Sequence, residues 1–318
     1  MAKSWSPLVA GDIVDVIAPG SSVAPQVLEG AIEFLKSWGF VPRVPEEIFG
    51  KDVICATDDA TRLRLVKEAL LAKDSKAIWC IRGGYGSNRL IPELAKLRKP
   101  AGDPKLFIGL SDITSLHVFL NQNWGWPTIH GPLLDRFSKK TVRPEWLREM
   151  HDFVFGRMDS IEFADLKPMN AAAKKSGKVT GTVSGGNLIT LQSTLGSKAS
   201  WKTKGQILFF EEIGERGYRV DRVLAQLEQV GAFKVAKAVV FGDFTEGQEP
   251  DGSDRTPGIL QRFADITKIP VFSGVPCGHD VVQRPVPFGT KAVLTLGKSG
   301  KLWIASGVKG PRKTKSTK

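Results

Sequence analysis

Cysteine, tyrosine and histidine are scarce in this chain of 318 residues, with three, two and four copies. Each scarcity narrows the chemistry. Cys55, Cys80 and Cys277 are odd in number, far apart and never in a Cys-x-x-Cys pair, so neither a disulfide framework nor a zinc knuckle is expected. Cys80, inside Ala77-Ile78-Trp79-Cys80-Ile81, reads as buried packing. Cys277, two residues before His279, is a minor candidate for a nucleophile. No His-Glu-x-x-His occurs, so the usual metallopeptidase signature is missing. No apolar run approaches the roughly 20 residues that a membrane-spanning helix needs. The start Met1-Ala2-Lys3-Ser4-Trp5-Ser6-Pro7 also lacks the apolar core of a secretory signal. A cytoplasmic location, with no membrane partner, is expected.

What the chain has in excess is positive charge, a net +12, which in principle suits nucleic acid or an anionic surface. Its distribution argues otherwise. Lys309, Arg312, Lys313, Lys315 and Lys318 crowd into a Pro- and Ser-containing tail, and the remaining charge is scattered, with no basic stripe interleaved with aromatics. We read it as solubility and attraction of acidic substrates, with no nucleic-acid partner. At 42% apolar residues the chain can bury the core of one large or two moderate domains.

In chain order, short apolar runs alternate with helical periodicity. Ile13 to Ala18 is followed by a helix from Pro25 with Leu28, Ala31, Ile32 and Leu35 on one face. Phe40 to Val44 precedes a helix capped by Asp58, and Ala77 to Ile81 ends in Arg82-Gly83-Gly84-Tyr85-Gly86-Ser87-Asn88. Such alternation implies a parallel sheet covered by helices. A dinucleotide fingerprint fails at the glycines, because Arg89 stands where the third glycine is required; N–H groups there suit an oxyanion hole or a plain tight turn. Residues 1–155 form the expected first domain and 156–178, charged and without periodicity, a linker. Residues 179–308 form the second domain, closing in a hairpin of Ala292 to Leu296 with Leu302 to Ala305, and 309–318 the basic tail.

The stretch Lys105-Leu106-Phe107-Ile108-Gly109-Leu110-Ser111-Asp112 turns from a strand straight into a helix. A serine there stands above the sheet edge beside free helix N–H groups, as a nucleophile needs, or serves as an ordinary helix cap. A hydroxyl nucleophile needs a base. His117 lies six residues on, about 240° around the helix, and points away; His151 sits in a charged helix. His130 could line the site beside an ordinary Gly-Pro turn, whereas His279 occupies a Gly- and Pro-rich loop typical of an accessible catalytic group. Glu211, ending the strand Ile207 to Phe210, is the carboxylate best placed to orient the imidazole. Glu212 should face the opposite way, and Asp280 is the competing orienter.

These features belong to a recognisable set. Gly11-Asp12 with Ala18-Pro19-Gly20-Ser21-Ser22, Arg82-Gly83-Gly84-Tyr85-Gly86, Gly109-Leu110-Ser111-Asp112-Ile113-Thr114 and His130-Gly131-Pro132 lie in the first half. Gly185-Gly186-Asn187-Leu188, Leu208-Phe209-Phe210-Glu211-Glu212, Tyr218-Arg219-Val220-Asp221-Arg222 and Gly278-His279 follow. In that order the chain resembles the serine-type LD-carboxypeptidases, which include muramoyltetrapeptide carboxypeptidases and microcin C immunity-type peptidases. The resemblance implies Ser111 as nucleophile, His279 as base and Glu211 as its orienter, with the Gly84 and Asp112 N–H groups as oxyanion hole. It implies a parallel α/β N-terminal domain, flavodoxin-like or glutamine-amidotransferase-like, a smaller β-rich C-terminal domain, a homodimer, and no metal or cofactor.

The expected activity is removal of the terminal D-alanine from murein tetrapeptides in cell-wall recycling. Hydrolysis of an aminoacyl-nucleotide, with Trp124 and Trp126 as a platform for the base, is the alternative, and a non-catalytic murein-peptide binder a third. Arg82, Tyr85 and Asn187 are the candidates for substrate binding, with Arg82 suited to a free carboxylate.

Overall fold

The computed structural model describes residues 3–197 and 199–310. Strands β1 (Ile13–Ile17), β2 (Val41–Arg43), β3 (Ser75–Cys80), β4 (Leu106–Gly109) and β5 (Thr128–His130) pair in parallel in the order β2-β1-β3-β4-β5. Their near-continuous apolar runs are explained by burial on both faces. Val14, Val16, Ala77, Trp79, Leu106 and Ile108 enter one core, while Ile17, Ile78, Cys80 and Phe107 enter another.

The connecting helices follow the expected signals. Pro25 opens the helix Pro25–Ser37, which buries Ala31 and Leu35. Asp58 caps the helix Asp59–Leu71 by accepting from the Thr61 N–H at 2.9 Å. The strand order reverses direction between β1 and β3, so the loops after these two strands splay apart at their carboxyl ends, where open α/β sheets bind ligands.

The second half contains β6 (Ser160–Pro168), β7 (Gly177–Asn187), β8 (Gln206–Ile213), β9 (Ala238–Thr245), β10 (Val271–Ser273), β11 (Val286–Phe288), β12 (Lys291–Leu296) and β13 (Gly300–Ala305). Seven of these close a barrel in the order β10-β6-β13-β12-β7-β8-β9. The expected hairpin is β12 with β13, Ala292 pairing Ile304. Alternate residues of β8 and β9 serve two cores: Ile207, Phe209 and Val240 join the core that reaches the first sheet, while Leu208, Phe210 and Phe241 pack against the helices Gly217–Gln229 and Thr256–Ile266. β11 is the exception. It leaves the barrel and adds an antiparallel sixth strand to the first sheet beside β5, Val286 opposite His130.

The linker expectation for residues 156–178 is corrected, because β6 lies within that segment and β7 begins in it. β6 buries Ile161, Phe163 and Leu166 and turns Glu162, Asp165 and Lys167 outward. Its alternation is broken where Ala164 and Asp165, the latter at φ 57°, face the single residue Lys301 of β13, a bulge of one extra residue, and this shift hides the strand from a period-2 reading. Most of the expected basic tail lies outside the described residues.

The two ends of the described chain meet. Fully buried Trp5 donates its N–H to Gly307 O and its indole N–H to Ser306 O, both at 3.0 Å, and accepts from the Lys309 N–H at 2.8 Å. Its ring packs on Phe153 at 5.5 Å. Trp5→Ala removes a large core side chain and these tethers, and should cost about 3–5 kcal/mol in urea unfolding. A loss below about 1 kcal/mol would show that the closure of the chain ends is not a stabilising feature.

Candidate active site

β4 delivers Leu110 in extended geometry and then Ser111 at φ 66°, a left-handed backbone that non-glycine residues seldom adopt. The turn Ser111–Ile113 and the helix Thr114–Phe119 follow directly. The Ser111 hydroxyl caps no helix, so of the two readings open for this serine the strained elbow is the one the backbone adopts. The elbow is crowded into place. A side chain on Gly83 would come within 2.8 Å of Ser111 Cβ, and one on Gly20 would strike Gly83 O and Asp112 Oδ2. The Asp112 carboxylate, buried beneath, accepts from Ser87 N at 2.8 Å and from the Ser87 hydroxyl, tying the glycine loop to the serine turn. Arg62, fully buried, bonds Thr57 O at 3.0 Å and also Pro19 O, bracing the loop after β1. Neither the Gly84 nor the Asp112 N–H finds an acceptor among the described residues.

The histidine and the carboxylate come from the barrel. Glu211 is fully buried near the end of β8, and its Oε2 accepts from His279 Nδ1 at 2.7 Å. A β-bulge arranges this. The β8–β9 register shifts between Phe210 and Glu212, and the displaced Asp243 N–H donates to Cys277 O at 3.0 Å, fastening the His279 loop to β9. A Cβ on Gly242 would strike Cys277 O, and one on Gly278 would lie 2.8 Å from Asp243 Cβ, so the close approach requires both glycines. From the short helix Leu134–Ser138 that follows β5, Arg136 donates to His279 O at 2.8 Å. Burial pulls the His279 imidazole down, but the charge and hydrogen bond of Glu211 outweigh it and hold it above the ordinary value of 6.5. With Nδ1 committed to Glu211, Nε2 is the nitrogen left for a proton acceptor.

The alternation of β8 separates the two acids as expected. Glu212 turns away from His279 and accepts from Asn187 Nδ2 and Ile189 N, each at 2.8 Å, and from Ile213 N at 2.9 Å. Burial, and then the charge of Glu211, push it up to about 7. Asn187, expected to meet substrate, is instead 5% exposed. Besides Glu212, it caps the helix Leu188–Ser193 by accepting from Thr190 N at 3.1 Å. Its short polar side chain beside a helix start marks a cap more strongly than a ligand contact.

Arg82 is exposed, with one bond to Ser22 O at 3.0 Å and no ion pair among the described residues, and Tyr85 is half-exposed on the same loop. Trp124 and Trp126 are buried in the core and offer no platform. Cys277 is buried, with its thiol pushed far up by desolvation, and Asp280 accepts from Val281 N rather than from His279. Among the described residues no group of three or more His, Cys, Asp or Glu side chains converges as a metal-binding set.

Two residues that hold the site together, Arg136 and Arg62, carried no sequence signal, and Thr114 lies in the serine motif with no role assigned to it there. Thr114, in the serine helix, accepts from the Asn187 N–H at 3.0 Å. A Cβ on Gly186, at φ 124°, would lie 2.5 Å from Thr114 Oγ1 and 2.9 Å from its Cγ2. The serine helix thus rests directly on the strand that pairs with β8. A strained hydroxyl, two unengaged N–H donors and a carboxylate-oriented imidazole can together support acyl transfer.

Residues 14–131 match the LD-carboxypeptidase N-terminal domain and residues 180–294 the LD-carboxypeptidase C-terminal domain. A relative in Rickettsia conorii is 38% identical over 253 residues, 80% of this chain and 78% of its own. A muramoyltetrapeptide carboxypeptidase from Oxalobacter formigenes superposes with a TM-score of 0.80 at 30% identity, over 92% of this chain and 98% of that one. The microcin C7 self-immunity protein MccF of Escherichia coli is 28% identical over 321 aligned positions, covering 91% and 92% of the two chains.

The contact between Gly186 and Thr114 is open to test without a substrate. Gly186→Ala should leave the circular dichroism spectrum unchanged yet slow labelling of Ser111 by a fluorophosphonate about 100-fold, because the serine helix is displaced from the barrel. A labelling rate within about twofold of wild type, read by intact mass, would mean that this contact does not set the site.

Proposed function

Because the chain belongs to the LD-carboxypeptidase family, a family of serine peptidases, we propose that it removes the terminal D-alanine from murein tetrapeptides through Ser111, His279 and Glu211. The observation that carries this reading is the 2.7 Å bond between His279 and Glu211 in a chain whose other half offers a serine at φ 66°. Ser111 Oγ attacks the carbonyl carbon between the L-centre of the diamino acid and D-alanine, and His279 Nε2 takes the hydroxyl proton. The Gly84 and Asp112 N–H groups stabilise the oxyanion. Glu211 balances the imidazolium, which then returns the proton to the departing amine. Water, deprotonated by the same nitrogen, releases the tripeptide from Ser111.

An exopeptidase has to hold a free carboxylate. Arg82, on the loop that carries Gly84 and without an ion pair among the described residues, is the proposed clamp. The unit acts in cell-wall recycling, as a cytoplasmic homodimer. The second reading, hydrolysis of an aminoacyl-nucleotide, draws support from the likeness to MccF, while the burial of Trp124 and Trp126 weighs against it by removing an aromatic platform.

Mass spectrometry of murein tri-, tetra- and pentapeptides tests the reading. Loss of one alanine from the tetrapeptide alone, absent with Ser111→Ala, is expected. Survival of all three, with cleavage of an aminoacyl sulfamoyl adenosine, would replace it with the second reading.

The pH profile follows from His279. The neutral imidazole is the base, so kcat/KM should rise with pH through an inflection above 6.5. Glu211→Gln removes the charge that raises it. The inflection should then fall below that of wild type, with a loss of about 10³–10⁴ in kcat; an unmoved inflection would remove Glu211 from its role.

A further inference from the structure

Behind Glu211 lies a file of polar groups that the reaction above does not use. His130, at the end of β5 and opposite Gly109 of β4, is fully buried, with Nε2 3.7 Å from Glu211 Oε1. Neither ring nitrogen of His130, nor Glu211 Oε1, has a hydrogen-bond partner among the described residues. Phe209 and Phe288 wall the ring at centroid distances of 5.5 and 5.4 Å. His117 stands 6.0 Å away and bonds Gly109 O through Nε2 at 2.8 Å, two residues before Ser111. Two imidazoles therefore run from the strand of the serine to the carboxylate of the barrel.

Polar atoms buried without partners are rare in folded proteins and call for a physical reason. Desolvation keeps both rings neutral, with His117 pushed down to about 4 and His130 well below the histidine range. A neutral ring offers one N–H and one lone pair. A lone pair facing a carboxylate oxygen would repel it, so the arrangement favours the tautomer with the proton on Nε2. At 3.7 Å this is a charge–dipole contact rather than a hydrogen bond. In an apolar surround such a contact is poorly screened.

We propose that His130 is a positioning residue of the site: its Nε2–H faces the far oxygen of Glu211, fixes the carboxylate's rotation toward His279, and stabilises the negative charge that balances His279 after proton transfer. The role rests on the proposed reaction. The contact also links the two sheets, since His130 belongs to the six-stranded sheet and Glu211 to the barrel.

His130→Phe keeps an aromatic ring among Phe209 and Phe288 and deletes the dipole. It is expected to lower kcat for the tetrapeptide about 10- to 100-fold with KM within about twofold, and to shift the downfield proton resonance of the His279 Nδ1–H···Glu211 bond. His130→Gln, which retains an N–H donor, should stay within about fivefold of wild type. In a Glu211→Gln background His130→Phe should cost nothing further.

Wild-type kcat with an unmoved resonance would overturn the proposal, as would an equal loss with and without Glu211→Gln, the mark of a merely structural role. Should His130→Phe fail to fold, His130→Leu takes its place in the same comparisons. The resonance needs no substrate. Wild-type protein that leaves the tetrapeptide intact while His130→Phe moves the resonance would refute the proposed reaction and uphold the contact; a cleaving enzyme with no shift would do the reverse.

Discussion

The 2.7 Å bond between His279 and Glu211 joins two residues of the barrel side, whereas Ser111 stands at the edge of the other sheet. Every feature around the site therefore has to hold two sheets in one relative position. A displacement of about 1 Å between reacting groups can cost about 100-fold in rate, so a loose hinge would forfeit the advantage of an oriented imidazole. The chain meets this demand with contacts that cross between the sheets at several points around the site.

Gly185 and Gly186 let β7 lie against β8 and the Ser111 helix, with Asn187 N–H bonded to Thr114. The His279 loop is bracketed at both ends, by β10 in the barrel and by β11 on β5, and Arg136 holds its carbonyl. Arg284 completes the bracket. Its guanidinium pairs with Glu149 of the helix Pro144–Val154 and lies 4.7 Å over Phe163 of the barrel. A partly buried ion pair is weak support for stability by itself, but here it ties the far end of the loop to the helix Pro144–Val154. The neutral rings of His117 and His130 lie between the strand that leads to Ser111 and the Glu211 carboxylate, His117 on Gly109 O and His130 facing Glu211.

Much of this was legible from residue pattern. Pro25 and Asp58 mark helix starts because each changes the energetics of the first turn. Glu211 and Glu212 separate because a strand alternates its faces. What stayed hidden depends on partners far away in sequence. β6 escaped notice since the bulge at Asp165 breaks its alternation, and barrel closure needs β10 beside both β9 and β6. Asn187, a candidate for substrate binding, is instead a helix cap, and Gly185 and Gly186 beside it make room for Phe209 and Thr114. Trp124 and Trp126, which beside a Pro are as much a packing pair as a platform, are core. Arg136 gives no local signal at all, since its partner is a backbone carbonyl 143 residues away.

In the proposed reaction Ser111, Glu211 and His279 act as a single unit assembled across two sheets. Single-turnover rates for Ser111→Ala, His279→Ala and the combined Ser111→Ala, Glu211→Gln, His279→Ala variant measure this most directly. For one unit, either single alanine substitution should cost about as much as the combination, since removing one member already disables the others. Losses that multiply across the three positions would contradict the account and leave three residues acting separately.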